Sequence, residues 1–170
     1  MEQTDKLNRL AADMATFKVR GGATFGPDEH RKQVSASVSV STSRDWDSRL
    51  DYVSQVEVTF YGAMVASTGE VDSRATATVR YSLRQDDTYC YVKSTRWAGG
   101  KYGDMPEGAR HNVAATILGM VDALAIDWRA LAVECVTADK ARRVAGLRDE
   151  AHRATVKADR LEAETVEVRF

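Results

Sequence analysis

The chain has 170 residues, with 24 Lys+Arg against 25 Asp+Glu. A net charge this close to zero argues against a generically basic binder of nucleic acid or membrane surface and leaves room only for a local patch. The length suits one domain with a helical appendage. The 44% hydrophobic content is mostly small side chains, since 24 Ala and 19 Val stand beside 9 Leu, 2 Ile and 4 Phe. Disorder would require high net charge, so the composition implies a folded chain with a low-volume core.

No apolar run approaches the roughly 18 residues of a membrane span. The opening MEQTDKLNRL lacks the basic-then-apolar order of a secretion signal. The expected setting is cytoplasmic, free or within an assembled particle. Cys90 and Cys135 are too few and too far apart for a metal pair or a disulfide scaffold, so both are expected as reduced, partly buried thiols.

Along the chain, residues 4–19 read as an amphipathic helix. Leu7, Leu10, Ala11, Met14 and Phe17 fall at helical spacing, with Thr4 as N-cap and Gly21-Gly22 as the stop. Residues 20–33 read as a glycine-containing loop. Residues 34–43 alternate strictly, with Val34, Ala36, Val38, Val40 and Thr42 on one face and serines on the other, as a strand with one wet face requires. Residues 44–52 form a connection. Trp46 stands there among polar residues, and an exposed side chain at this position would suggest an interface.

Further strands are expected at 53–66, 74–84 and 88–97, joined by short turns that favour an antiparallel meander. Gly62 marks a bulge or bend in the first of them. For the last, periodicity alone does not choose between the Tyr89/Tyr91/Lys93 and Cys90/Val92/Ser94 faces. A long helix then follows the glycine loop 98–104, its stripe running through Val113, Ile117, Met120, Leu124, Trp128 and Leu131. Thr137 is the expected N-cap of a last helix over 138–164. There Val144, Leu147, Ala151, Ala154, Ala158 and Leu161 repeat at heptad spacing. Alanine-rich seams let helix axes approach closely but bury little area per residue, so this helix must dock on its own domain or on a second copy.

Two loops could bind a ligand. Between Arg96 and Asp104, three glycines precede a helix N-terminus, a geometry able to turn N–H groups toward an anion. Arg96, Lys101 and Arg110 supply charge, Trp97 and Tyr102 offer stacking surfaces, and His111 lies just inside the helix. The earlier loop adds Arg20, His30, Arg31 and Lys32. Nucleic acid or a phosphate-bearing small molecule would suit this set, although the spacing matches neither a P-loop nor a dinucleotide fingerprint, and Asp104 stands where the anion would sit. Catalytic constellations are thin: three histidines, no HxH, HExxH or CxxC spacing, and no nucleophile elbow. No enzyme activity, metal or cofactor is expected.

The expected fold is α+β: an N-terminal helix, a four-stranded antiparallel meander and two C-terminal helices, with residues 1–136 as the domain and 137–170 as the alanine-seamed helix. A strand run followed by a helix pair resembles the element order of small RNA-phage coat proteins, although the N-terminal helix departs from it. That resemblance implies a self-associating subunit of a particle or accessory assembly. The leading functional expectation is therefore a non-enzymatic, homo-oligomeric structural or interaction protein. The alternative is a binding module for nucleic acid or a phosphate-bearing ligand.

Overall fold

The computed structural model describes residues 2–65, 69, 71–93 and 107–163. The chain divides into two compact units, Met1–Cys135 and Val136–Phe170. The elements are α1 (Glu2–Asp13), β1 (Phe17–Lys18), β2 (Thr24–Gly26), β3 (Ser35–Arg44), β4 (Asp51–Val65), β5 (Val71–Ser82), β6 (Asp87–Lys93), α2 (Glu107–Ala123) and α3 (Trp128–Ala163). The α+β class and the antiparallel sheet agree with the sequence reading. The sheet has six strands rather than four, because the β3–β4–β5–β6 meander is joined by a β1–β2 hairpin.

The extra hairpin corrects the first helix. The apolar spacing continues through Met14 and Phe17, yet α1 stops at Asp13 and Phe17 pairs with Phe25 across β1 and β2. Their rings lie 5.8 Å apart. Gly21 and Gly22 adopt positive φ, and Val19 N–H donates to Ala23 O at 2.8 Å, so these glycines close a hairpin rather than a helix.

β4 organises the sheet. One edge pairs with β5; the other pairs with β3 over residues 51–61 and with β2 over 63–65. The register shift between Gly62 and Met64 is the bulge expected at Gly62. There is a packing reason for glycine here: a Cβ on Gly62 would sit 2.6 Å from Cζ of the buried Phe25 ring.

The core lies on one side of the sheet. Val56, Val58, Phe60, Val79, Ala75 and Ala77 are buried beneath Leu7 and Ala11 of α1, Val113, Ile117 and Val121 of α2, and Leu131 and Ala132 of α3. The register resolves the ambiguous last strand: Cys90 and Val92 join the core, while Tyr89, Tyr91 and Lys93 take the opposite face.

The apolar stripe expected on one long helix belongs to two. α2 ends at Ala123, Ala125 turns into the left-handed region at φ 48°, and α3 begins at Trp128. Asp127 caps α3 through Oδ1, which accepts the N–H groups of Arg129 (3.1 Å) and Ala130 (2.9 Å). Thr137, the expected cap of the last helix, is therefore an interior residue of α3. Trp128 stacks on Tyr81 with ring centroids 5.2 Å apart, which seats the start of α3 on the sheet.

α1 and α3 satisfy each other's ends. Glu134 of α3 accepts hydrogen bonds from Gln3 N–H (3.0 Å), Thr4 N–H (2.9 Å) and the Thr4 hydroxyl (2.7 Å). Thr4, expected as an N-cap, is thus a donor inside the first turn. In return, Gln3 Oε1 accepts the N–H of Asp127 at 3.2 Å. Burial by itself would raise the Glu134 pKa, but the donated hydrogen bonds outweigh it and hold the carboxyl at about 2.

Two outcomes follow. Gly62→Ala drives a methyl into the Phe25 ring and is expected to destabilise the fold by about 1–3 kcal/mol in chemical denaturation. A carboxylate depressed in the folded state stabilises the fold above its ordinary value of 4.5, and that contribution is lost as pH falls toward about 2. Wild type is therefore expected to lose stability across this window. Glu134→Gln is expected to start about 1 kcal/mol lower at neutral pH and to show a flatter acid limb in pH-dependent melting.

Candidate functional site

The feature that stands out is the length of α3. Its first turns, through Ala132, enter the core, whereas every residue from 141 to 163 is exposed. In the unit that begins at Val136, the described part is a single helix. All six residues of the expected seam lie on one face of it: Val144, Leu147, Ala151, Ala154, Ala158 and Leu161. Leu147 is 66% and Leu161 60% exposed, so most of each residue faces water. The same face continues back to Val133 and Val136, also exposed, with Lys140 interrupting it. The sequence reading began the seam at Val144 and missed these two valines because it placed a helix start at Thr137. Beside this face, Asp139 pairs with Arg143 at 2.7 Å and with Arg142 at 3.7 Å. α3 is therefore amphipathic beyond Lys140, with apolar side chains exposed along one face and charged residues around it.

The ligand-binding candidates are brought together only in part. Arg96, Trp97, Lys101 and Tyr102 lie outside the described residues. In the earlier loop, Arg20 and Lys32 are exposed, and the carbonyl of Arg20 accepts a hydrogen bond from Asn112 Nδ2 at 3.1 Å. That bond ties the loop to the first turns of α2, where Arg110 and the exposed His111 sit.

Other contacts weaken the loop as an anion site. Asp28 Oδ1 accepts the N–H groups of His30 (2.8 Å) and Arg31 (2.7 Å), so those donors already serve a carboxylate. Asp28 Oδ2 is buried and has no hydrogen-bond partner among the described residues. His30 lies 3.4 Å from Glu29, and Arg31 Nε donates to Ser73 O at 3.0 Å. Arg31 therefore fastens the loop to β5.

One cluster was hidden from the sequence. On the sheet face opposite the core, the registers align Ser39, Glu57, Arg80 and Tyr89 across four strands. The Arg80 guanidinium lies 5.5 Å from the Tyr89 ring centroid and 5.4 Å from that of Tyr91, and it donates to Glu57 and to both tyrosine hydroxyls. Lys93 Nζ stands 5.4 Å over Tyr91. Alternation could flag each strand's polar face, but only the register shows that they share one arginine. Because Arg80 pairs with Glu57 and three of its five N–H groups serve Glu57, Tyr89 and Tyr91, the cluster braces this face of the sheet.

Trp46 is 90% exposed at the β3–β4 turn, with Leu50 also exposed beside it. Both cysteines are free, and burial pushes the Cys90 thiol up to about 12, so it is a poor nucleophile. Among the described residues, no three His, Cys, Asp or Glu side chains are grouped to hold a metal ion, and no helix is long and apolar enough to cross a membrane. No family model matches the chain, and no curated protein and no solved structure matches it.

Proposed function

We propose that this chain is a non-enzymatic structural or interaction subunit that self-associates through the apolar face of α3, as a component of a particle or accessory assembly. The supporting observation is the run of exposed helix from 141 to 163 carrying Val144, Leu147 and Leu161 on one face. A lone helix buries too little area to hold such residues in water without a partner surface. The alanines at 151, 154 and 158 allow a second helix axis to come close.

Full burial of a leucine stabilises by about 1.5–3 kcal/mol. In a symmetric pair the substitution acts twice, so Leu147→Glu is expected to weaken association at least about a hundredfold. Leu161→Glu is expected to act in the same direction. Because both positions are exposed in the single chain and lie outside its core, the domain through Cys135 is expected to stay folded, while the helical signal of residues 141–163 falls with dissociation. Light scattering across micromolar concentrations measures the association, and circular dichroism follows the helical signal. A wild-type chain that stays monomeric, with both variants indistinguishable from it, overturns this reading.

The Asn112–Arg20 bond favours a second reading, a module for nucleic acid or a phosphate-bearing ligand, since it draws one of the two loops to the helix that follows the other. In that case a single-stranded oligonucleotide binds with affinity that falls as salt rises, and Arg20→Glu, Arg96→Glu or Lys101→Glu abolishes binding. Absence of binding at low salt removes this alternative.

A further inference from the structure

The charges beside the α3 seam carry an orientation. Arg143, Glu150 and Lys157 each stand one residue before a seam position and form one flank; Arg148, Thr155 and Glu162 each stand one residue after and form the other. Two helices joined along this seam could run parallel or antiparallel. In a parallel pair, opposite flanks meet, so Arg143 lies beside the partner's Arg148, Glu150 beside the partner's Thr155 and Lys157 beside the partner's Glu162. Symmetry doubles each pair, giving two like-charged contacts, in which each Arg143 also holds Asp139 of its own helix, and two attractive ones. In an antiparallel pair, like flanks meet. Glu150 then lies beside the partner's Lys157, twice, and Arg148 beside the partner's Thr155, twice. Among the described residues, no like-charged pair remains.

Side-chain volume selects the same arrangement. The seam is symmetric about its midpoint between His152 and Arg153. Antiparallel pairing sets Val144 against the partner's Leu161, Leu147 against the partner's Ala158, and Ala151 against the partner's Ala154. Leucine then meets alanine in the layers on either side of the two central alanine layers, whereas a parallel pair stacks Leu147 and Leu161 each on itself and alanine on alanine over three layers. Lys140 also limits the register, because sliding the antiparallel pair by one heptad toward the helix start would press Lys140 against the partner's Ala158. The seam from Val144 to Leu161 spans about 26 Å at helical rise.

We propose that α3 pairs antiparallel with α3 of a second copy of this chain, in the register that places Val144 against the partner's Leu161 and Glu150 beside the partner's Lys157. The pairing rests on the self-association proposed above and names its partner, orientation and register.

The test is sedimentation equilibrium on the full chain with Glu150→Lys, Lys157→Glu and the double exchange. Each single change places like charges side by side at two symmetric sites and is expected to weaken the dimer about fivefold. The double exchange restores opposite charges and is expected to return the affinity to within about twofold of wild type. As a second measurement, a mixture of Val144→Cys and Leu161→Cys chains forms a mixed disulfide under mild oxidation, whereas neither chain alone links to itself at the new position. A silent Glu150→Lys, with the double exchange as weak as Lys157→Glu, indicates a parallel pair and overturns the orientation while self-association stands. A dimer unaffected by these changes and by Leu147→Glu places the interface elsewhere on the chain and overturns the pairing. A monomer at all concentrations overturns both the pairing and self-association.

Discussion

The architecture depends on one reciprocal set of hydrogen bonds between two helix ends. Every helix begins with N–H groups that its own turns cannot satisfy. Here the carboxylate of Glu134 takes those of Gln3 and Thr4, while the side-chain oxygen of Gln3 takes the N–H of Asp127, the residue that caps α3. A 12-residue helix such as α1 is marginal alone. Held this way, it delivers Leu7 and Ala11 into the core as fully packed residues. The same contacts set the start of α3, bringing Leu131 into the core and laying Trp128 on Tyr81. A core built from valine and alanine has little surplus area with which to tolerate misplaced helices, so polar groups supply the positional precision that larger side chains would otherwise give.

Much of the sheet was legible from sequence because period-two alternation is a direct record of a one-sided sheet. The serines of β3 and the Val56, Val58 and Phe60 set of β4 needed no tertiary information to be placed on opposite faces. Gly62 was legible as a bulge but not as the space for Phe25, since that contact joins residues from strands far apart in sequence. The errors came where local signals compete with distant partners. Met14 and Phe17 continue the helical spacing of α1, but Phe17 gains more by pairing with Phe25 across a hairpin closed by two glycines. Leu124, Trp128 and Leu131 keep helical phase across a real break, because a left-handed residue at Ala125 and a new cap at Asp127 let the stripe resume with little change of period.

The candidate site divides along similar lines. The α3 seam was readable because heptad spacing is a property of one continuous segment. The ligand-binding set was assembled from charge and glycine content, which says nothing about who already holds the charges. Asp28 serves the backbone of its own loop and Arg31 holds the carbonyl of Ser73, so two groups that look available in the sequence are committed to holding the loop together. Arg80 shows the converse. It looked like one more strand residue, yet both neighbouring strands converge on it, β4 through Glu57 and β6 through Tyr89 and Tyr91, because each polar face contributes a partner only once the register is known.

The Glu134 clamp also sets an order of events during synthesis. The donors it serves lie about 130 residues earlier in the chain. The N–H groups at the start of α1 therefore stay in water until the segment that carries Glu134, about 130 residues later, has been made. In the interval the strands can pair as successive hairpins, each a local step with a short loop to close. Neither the start of α1 nor the N–H of Asp127 has these partners until both helices are in place, so two parts of the domain far apart in sequence depend on each other for their last hydrogen bonds.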